Sequence, residues 1–170
     1  MKSTILKFGG YGALIGGLIF AGSHFLLKGI DLGILEILGW ISIFASLSFV
    51  FFGIKHFRDH INNGLITFSK ALLIGLVISA IAGLAIGILD IVYVTVINPD
   101  FANEYVQYTL EGMKNSLSVE EFAKQKAKLE EEMKVFDNPV FAGLFMFALI
   151  FGTGIIISLI SSLILQRKPS

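Results

Sequence analysis

The sequence predicts an all-α integral membrane protein, with four transmembrane helices and a helical-hairpin insert between the third and fourth. Three observations carry this expectation. Hydrophobic residues make up 55% of the 170 and charged residues only 15%, against roughly 25% charged in an ordinary soluble domain. The charges also cluster and leave long stretches empty, as a bilayer demands when a charge near its centre costs several kcal/mol. Finally, the one sizeable polar segment, 98–137, carries helix-start signals rather than the composition of a linker.

The first apolar stretch runs from Phe8 to Leu27, between Lys7 and Lys28, with His24 its one interruption. About 20 residues rising about 1.5 Å each cross a hydrocarbon core of about 30 Å, so a span over about 8–28 is expected. Lys2 and Lys7 ahead of this stretch, with Ala21-Gly22-Ser23 near its end, also suit a secretory signal. The apolar run is longer than the h-region of such a signal, and its glycines fall in helix-packing register, so a retained span is the expectation. The second span covers about 32–54, with Glu36 near its start, and the third about 67–97, with Asp90 inside it. Residues 1–97 thus hold three spans. Residues 138–170 hold the fourth, uncharged from Asn138 to Gln166, and a basic tail of Arg167 and Lys168.

Between them, 98–137 reads as an extracytoplasmic amphipathic helical pair. Asn98-Pro99 suits a cap followed by proline at the first helical position, which predicts a helix from Pro99 to about Lys114 presenting Phe101, Tyr105 and Tyr108 on one face. Ser118-Val119-Glu120-Glu121 is a capping-box pattern. The helix it opens carries Phe122, Leu129, Met133 and Phe136 at spacings of seven, four and three, which is one apolar stripe. Glu120 with Lys124 and Glu130 with Lys134 are spaced to pair on the wet face. Asn138-Pro139-Val140-Phe141 repeats the pattern of Asn98-Pro99-Asp100-Phe101 about 40 residues on, and reads as the same helix-start chemistry used twice.

Charge orients the spans. Lys2, Lys7, Lys55, Arg58, Lys70, Arg167 and Lys168 share one side with a single acid, Asp59, and the other twelve acids lie on the opposite side with Lys28 and five further lysines. Basic residues in short loops stay in the cytoplasm, so both termini are expected there and the long connection outside.

The run Phe51-Phe52-Gly53-Ile54-Lys55-His56-Phe57-Arg58-Asp59 closes the second span, and Gly64-Leu65-Ile66-Thr67-Phe68-Ser69-Lys70-Ala71 opens the third. With Asn98-Pro99-Asp100-Phe101 and Ser158-Leu159-Ile160-Ser161-Ser162-Leu163-Ile164-Leu165, these runs resemble the bacterial family known as domain of unknown function 4199. The resemblance covers essentially the whole chain, and Lys55 to Asp59 is its most specific part. It implies a small four-span protein of the bacterial cytoplasmic membrane, and no activity, cofactor or site residue.

Polar groups at membrane depth are the candidates for function. Asp90 stands seven residues before Ile97, about 10 Å along the helix from the end of the apolar stretch. Glu36 lies toward the same end, and Lys28 is the one base in the short segments there, able to pair with either. Together they suggest a polar cavity that takes a cation; the plainer reading puts both carboxylates in the wet headgroup region. Lys70 reads as an interfacial anchor whose stem snorkels. His56 and His60 have the spacing of two metal ligands, but His-Glu-x-x-His is absent, and a charged cap on the helix is the better account. Ladders of small residues recur at Gly75, Ser79, Gly83 and Gly87, at Gly9, Ala13, Gly17 and Ala21 with Gly12 and Gly16 beside them, and at Gly154, Ser158 and Ser162. Such ladders let helices approach closely, here expected within the chain.

The absence of cysteine excludes disulfides, thiolate metal sites and cysteine nucleophiles. A net charge of zero gives no case for nucleic-acid binding. No nucleophile elbow or phosphate-cradling loop is present, and Glu130-Glu131-Glu132 lacks the looped spacing of a calcium site. The expectation is therefore not an enzyme and has no cofactor. It is an interaction protein in the lipid bilayer, whose stripe of Phe122, Leu129, Met133 and Phe136 contacts a membrane-protein partner or another copy. The competing class is a small transporter, channel or lipid-binding protein built on Asp90 and Glu36.

Overall fold

A computed structural model describes residues 1–26, 30–114 and 116–167. These residues are helical almost throughout, and four helices are long and apolar enough to cross a membrane. Helix α1, Lys2–Ala21, continues through a π-helical turn at Gly22–Leu26. Helix α2, Leu32–His56, is opened by Asp31, whose side chain accepts the Gly33 N–H, and continues as a π-turn over Phe57–Ile61. Helix α3, Phe68–Val92, starts on a Thr67 cap and also ends in a π-turn, Tyr93–Ile97. Helix α6, Pro139–Leu165, starts on Asn138, whose carboxamide oxygen accepts the N–H groups of Val140 and Phe141. The first two helices extend past the expected spans, α1 beginning at Lys2 and the α2 segment reaching Ile61, because hydrogen-bonded backbone persists beyond the last apolar residue.

Helix α3 is central, packing extensively on α6 and also on α1 and α2, while α2 touches α6. The core is a column of Leu47, Val50, Ile54, Ile74, Ile78, Ile86 and Ile150, all essentially inaccessible. Small residues set how closely the helices pack. A methyl group on Gly87 would stand 2.7 Å from the Gly143 carbonyl oxygen, and one on Gly143 would meet Ile91 Cγ1 at 2.5 Å. Farther along the same seam, Gly75 faces Ser158 and Gly154 faces Ser79. The ladders of α3 and α6 therefore face each other within the chain. In α1 the packing face is Gly9, Gly12, Gly16 and Gly17; of the four-residue series, Ala13 and Ala21 are only half-buried. The α1–α2 contact is drawn close enough for Ser42 Oγ to donate to the Gly16 carbonyl (2.7 Å) and Ser46 Oγ to that of Gly12 (2.8 Å). Interhelical hydrogen bonds of this kind add to van der Waals packing where lipid supplies no hydrophobic drive.

The two ends of the bundle differ in charge. At the basic end, the Arg58 guanidinium donates to both carboxylate oxygens of Asp59 (2.6 and 3.0 Å) and to the Leu165 carbonyl (3.3 Å). Ile66 and Arg167 exchange backbone hydrogen bonds of 3.0 and 2.9 Å, which ties the start of α3 to the end of α6. The Lys70 ammonium lies 5.4 Å from the Phe57 ring centre. The other end carries Asp31, Glu36 and Asp90, and the chain there leaves the bundle.

Helices α4, Phe101–Met113, and α5, Val119–Met133, follow. Two expectations need correction. The first helix starts at Phe101, and Asn98 is not its cap: the Asn98 N–H instead closes the preceding π-turn on the Tyr93 carbonyl (2.8 Å), and its amide donates to Glu104 Oε2 (2.7 Å). On the surface of α5 the pairs that form are Lys126–Glu130 (3.8 Å) and Lys128–Glu132 (3.6 Å); Glu120–Lys124 and Glu130–Lys134 do not come within ion-pair distance. Exposed pairs contribute at most about 1 kcal/mol, so little selects one set over the other. The Ser118–Glu121 capping box is formed in full.

Candidate functional site

Helix α4 lies across the acidic end of the bundle because aromatic side chains hold it there. Phe101 meets Tyr93 edge-on at 5.5 Å, and Tyr108 places its hydroxyl against the backbone of Gly33. Only Val106 and Leu110 of α4 are buried, and α5 has no buried residue. The two helices diverge around an open groove of about 800 Å³ with charged rims, Glu104 and Asp100 on one side and Lys126, Glu130 and Lys134 on the other. Phe122, Leu129, Met133 and Phe136 are each half-buried. Phe136 alone has aromatic anchors, edge-on to Phe141 at 5.4 Å and to Phe145 at 5.2 Å.

Beneath these helices lie two adjoining chambers. The first, about 440 Å³, is lined by Asp90, Phe101, Tyr105, Met133, Phe136 and Phe145 among others. The second, about 290 Å³, is lined by His24, Glu36 and Trp40 among others. Phe101, Tyr105, Phe145 and Met146 belong to both and form the partition. Asp90 is 9% exposed, and no described residue hydrogen-bonds or ion-pairs with its carboxylate. Glu36 is exposed at the rim of its chamber. The structure thus gives each expected carboxylate a cavity but not a shared one, because aromatic and methionine side chains fill the space between. Lys28 lies outside the described residues.

Sequence reasoning missed two participants, His24 and Asp137, and gave two others, Met133 and Phe136, a different role. His24, noted only as an interruption, stacks on Phe20 at 4.3 Å and lines the Glu36 chamber. Asp137 lines the Asp90 chamber from its exposed rim. Met133 and Phe136, expected as an outward stripe, form a wall of that same chamber. A polar residue inside an apolar run marked His24, and apolar spacing marked Met133 and Phe136 without saying which surface they meet; nothing local marked Asp137. At the basic end, the His56 and His60 rings stack at 4.8 Å, with Phe8 against His56. No group of three potential ligands gathers among the described residues.

Bundle and chambers together define a class: an all-helical chain with four helices fit to cross a membrane and a polar helical segment packed over one end. The chain belongs to the family described as Protein of unknown function (DUF4199), whose model matches residues 7–167. Comparison with curated proteins and with solved structures returns no match.

Proposed function

We propose that this chain is an integral protein of the bacterial cytoplasmic membrane, with both termini in the cytoplasm, whose α4 and α5 contact a membrane-protein partner or a second copy. Membrane insertion is supported by the outward faces of the long helices. Leu18, Ile88, Ile156 and Ile164 are each at least 60% exposed, a surface that needs hydrocarbon rather than water. The orientation is supported by the basic residues gathered at the end that holds both termini.

The observation that carries the contact function is the incomplete cover of α5. It buries no residue of its own, its stripe is half-open, and Val119 is 91% and Val135 48% exposed. Covering a large apolar side chain contributes about 1.5–3 kcal/mol, so a partner that completed this cover would be held firmly. Changing Leu129 and Met133 together to Ser is expected to leave insertion intact while exposing 98–137 to protease or lowering the assembly mass in mild detergent. Unchanged proteolysis and unchanged mass would end this reading.

A second reading is supported by the chamber at Asp90. Its volume lies within the roughly 300–1,000 Å³ of small-molecule sites, and it holds a buried carboxylate. On this reading the protein binds, and through binding moves or retains, a small ligand.

A further inference from the structure

We infer that the Asp90 chamber is a site for an organic monocation, a protonated amine or quaternary ammonium on a compact apolar body, with Asp90 as its counter-ion. The inference rests on the second reading above and deepens it. The first ground is an unmatched charge. An ionised carboxylate withdrawn from water is costly unless a partner or hydrogen-bond donors compensate it. Asp90 is nine-tenths buried, yet no described residue donates to it. A cation entering the chamber supplies what the described residues do not.

The second ground is the sign of the lining. Among the described residues, the chamber's lining holds two carboxylates, Asp90 inside and Asp137 at the rim, and no Lys or Arg. The adjoining chamber adds Glu36, again with no Lys or Arg among the described residues that line it. An anionic ligand would meet the repulsion of these carboxylates, and a neutral one would leave the buried charge uncompensated. The third ground is the wall. Phe101, Tyr105, Phe136 and Phe145 surround the space with aromatic faces and edges, with Phe101 and Tyr105 6.3 Å apart and Phe136 and Phe145 5.2 Å apart between ring centres. Aromatic faces attract cations through their quadrupole and attract organic cations over hydrated metal ions, because the apolar body gains the hydrophobic term as well. Met133 and Met146 complete the wall with adaptable surface. A bare inorganic cation would need several oxygen ligands, and the lining does not converge them.

The proposal also explains why Met133 and Phe136 face inward. They act as the lid of the chamber, carried by the end of α5 and the turn that follows it, so the loosely packed outer helices are the natural entry. Phenyltrimethylammonium is a suitable probe, because tert-butylbenzene is its neutral isostere. Calorimetric titration of the full chain in dodecyl maltoside is expected to show saturable binding of the cation, at least roughly tenfold tighter than any saturable binding of the isostere. Asp90→Asn should weaken the cation by roughly tenfold or more while leaving the isostere unchanged. Should Asp90→Asn fail to fold, Tyr105→Leu, on the exposed side of the partition, is expected to weaken the cation several-fold and keep the bundle intact. Equal binding of cation and isostere, or of cation to wild type and Asp90→Asn, would overturn the cation assignment while leaving the chamber a ligand site. No saturable binding of either probe would overturn both.

Discussion

Replacing glycine by alanine at different points along α6 should have opposite effects, and the geometry sets the sign. Position 152 has nothing within 4 Å of where a methyl group would stand. There the substitution removes glycine's helix penalty and is expected to stabilise by up to about 1 kcal/mol. Position 143 is different. The same methyl group would lie 2.5 Å from Ile91 Cγ1 and 2.8 Å from the Gly87 carbonyl oxygen. The isoleucine is β-branched and stiff, and the carbonyl belongs to the α3 backbone, so neither yields without moving a helix. Overpacking of this kind costs about 1–3 kcal/mol, and the helix gain offsets only about 1 kcal/mol of it. Gly143→Ala should therefore destabilise by up to about 2 kcal/mol, and Gly87→Ala, which meets the Gly143 carbonyl at 2.7 Å, should do likewise. Unfolding in mixed micelles of rising sodium dodecyl sulfate, followed by the fluorescence of Trp40, the single tryptophan, measures the midpoints. Gly143→Ala and Gly152→Ala shifting in the same direction would refute the claim that α3 and α6 meet backbone to backbone along this seam.

Two further outcomes are expected. Ser118→Ala removes the hydroxyl that caps α5 and should cost about 1 kcal/mol locally, read as faster amide exchange at Val119 to Phe122. In the wild type, hydrogen bonds from the Ser118 hydroxyl and N–H hold the Glu121 carboxyl below its ordinary range. A carboxyl with a lowered folded pKa stabilises fully above its unfolded value of about 4.3 and loses that contribution as pH falls through the folded one. Protection at the start of α5 should therefore decline only in acid, and in Ser118→Ala the decline should begin at higher pH; identical profiles would remove the carboxylate from the cap. Reporter fusions should find the C-terminus cytoplasmic and a junction after Lys114 outside, and an outside C-terminus would invert the proposed orientation.

The legibility of the two outer helix starts shows where local reading succeeds. Ser118 and Asn138 cap as their neighbours imply, because a cap is settled within four residues of chain. Asn98 is followed by the same Pro and Phe as Asn138 but sits at the end of α3, where closing the π-turn and bonding Glu104 compete for it. The same contrast holds for the candidate site. Asp90 stands out in the sequence because hydrocarbon makes any carboxylate there conspicuous. Its cavity does not, because the walls come from α3, α4, α6 and the turn after α5.

The number of long apolar helices, the charge at each end of them, and the amphipathic character of the segment between the third and fourth are all legible along the chain. All of these follow from composition and periodicity along the chain. Which faces meet is settled by packing in three dimensions. A helix apolar on every side has no hydrophobic face to aim inward, so hydropathy leaves its rotation about its own axis open. The close approach of Gly87 to Gly143, and of Ser42 and Ser46 to the carbonyls of α1, selects that rotation by packing and hydrogen bonding. It is this rotation that turns Asp90 into the chamber closed by Met133 and Phe136, while Glu36 faces the one beside it.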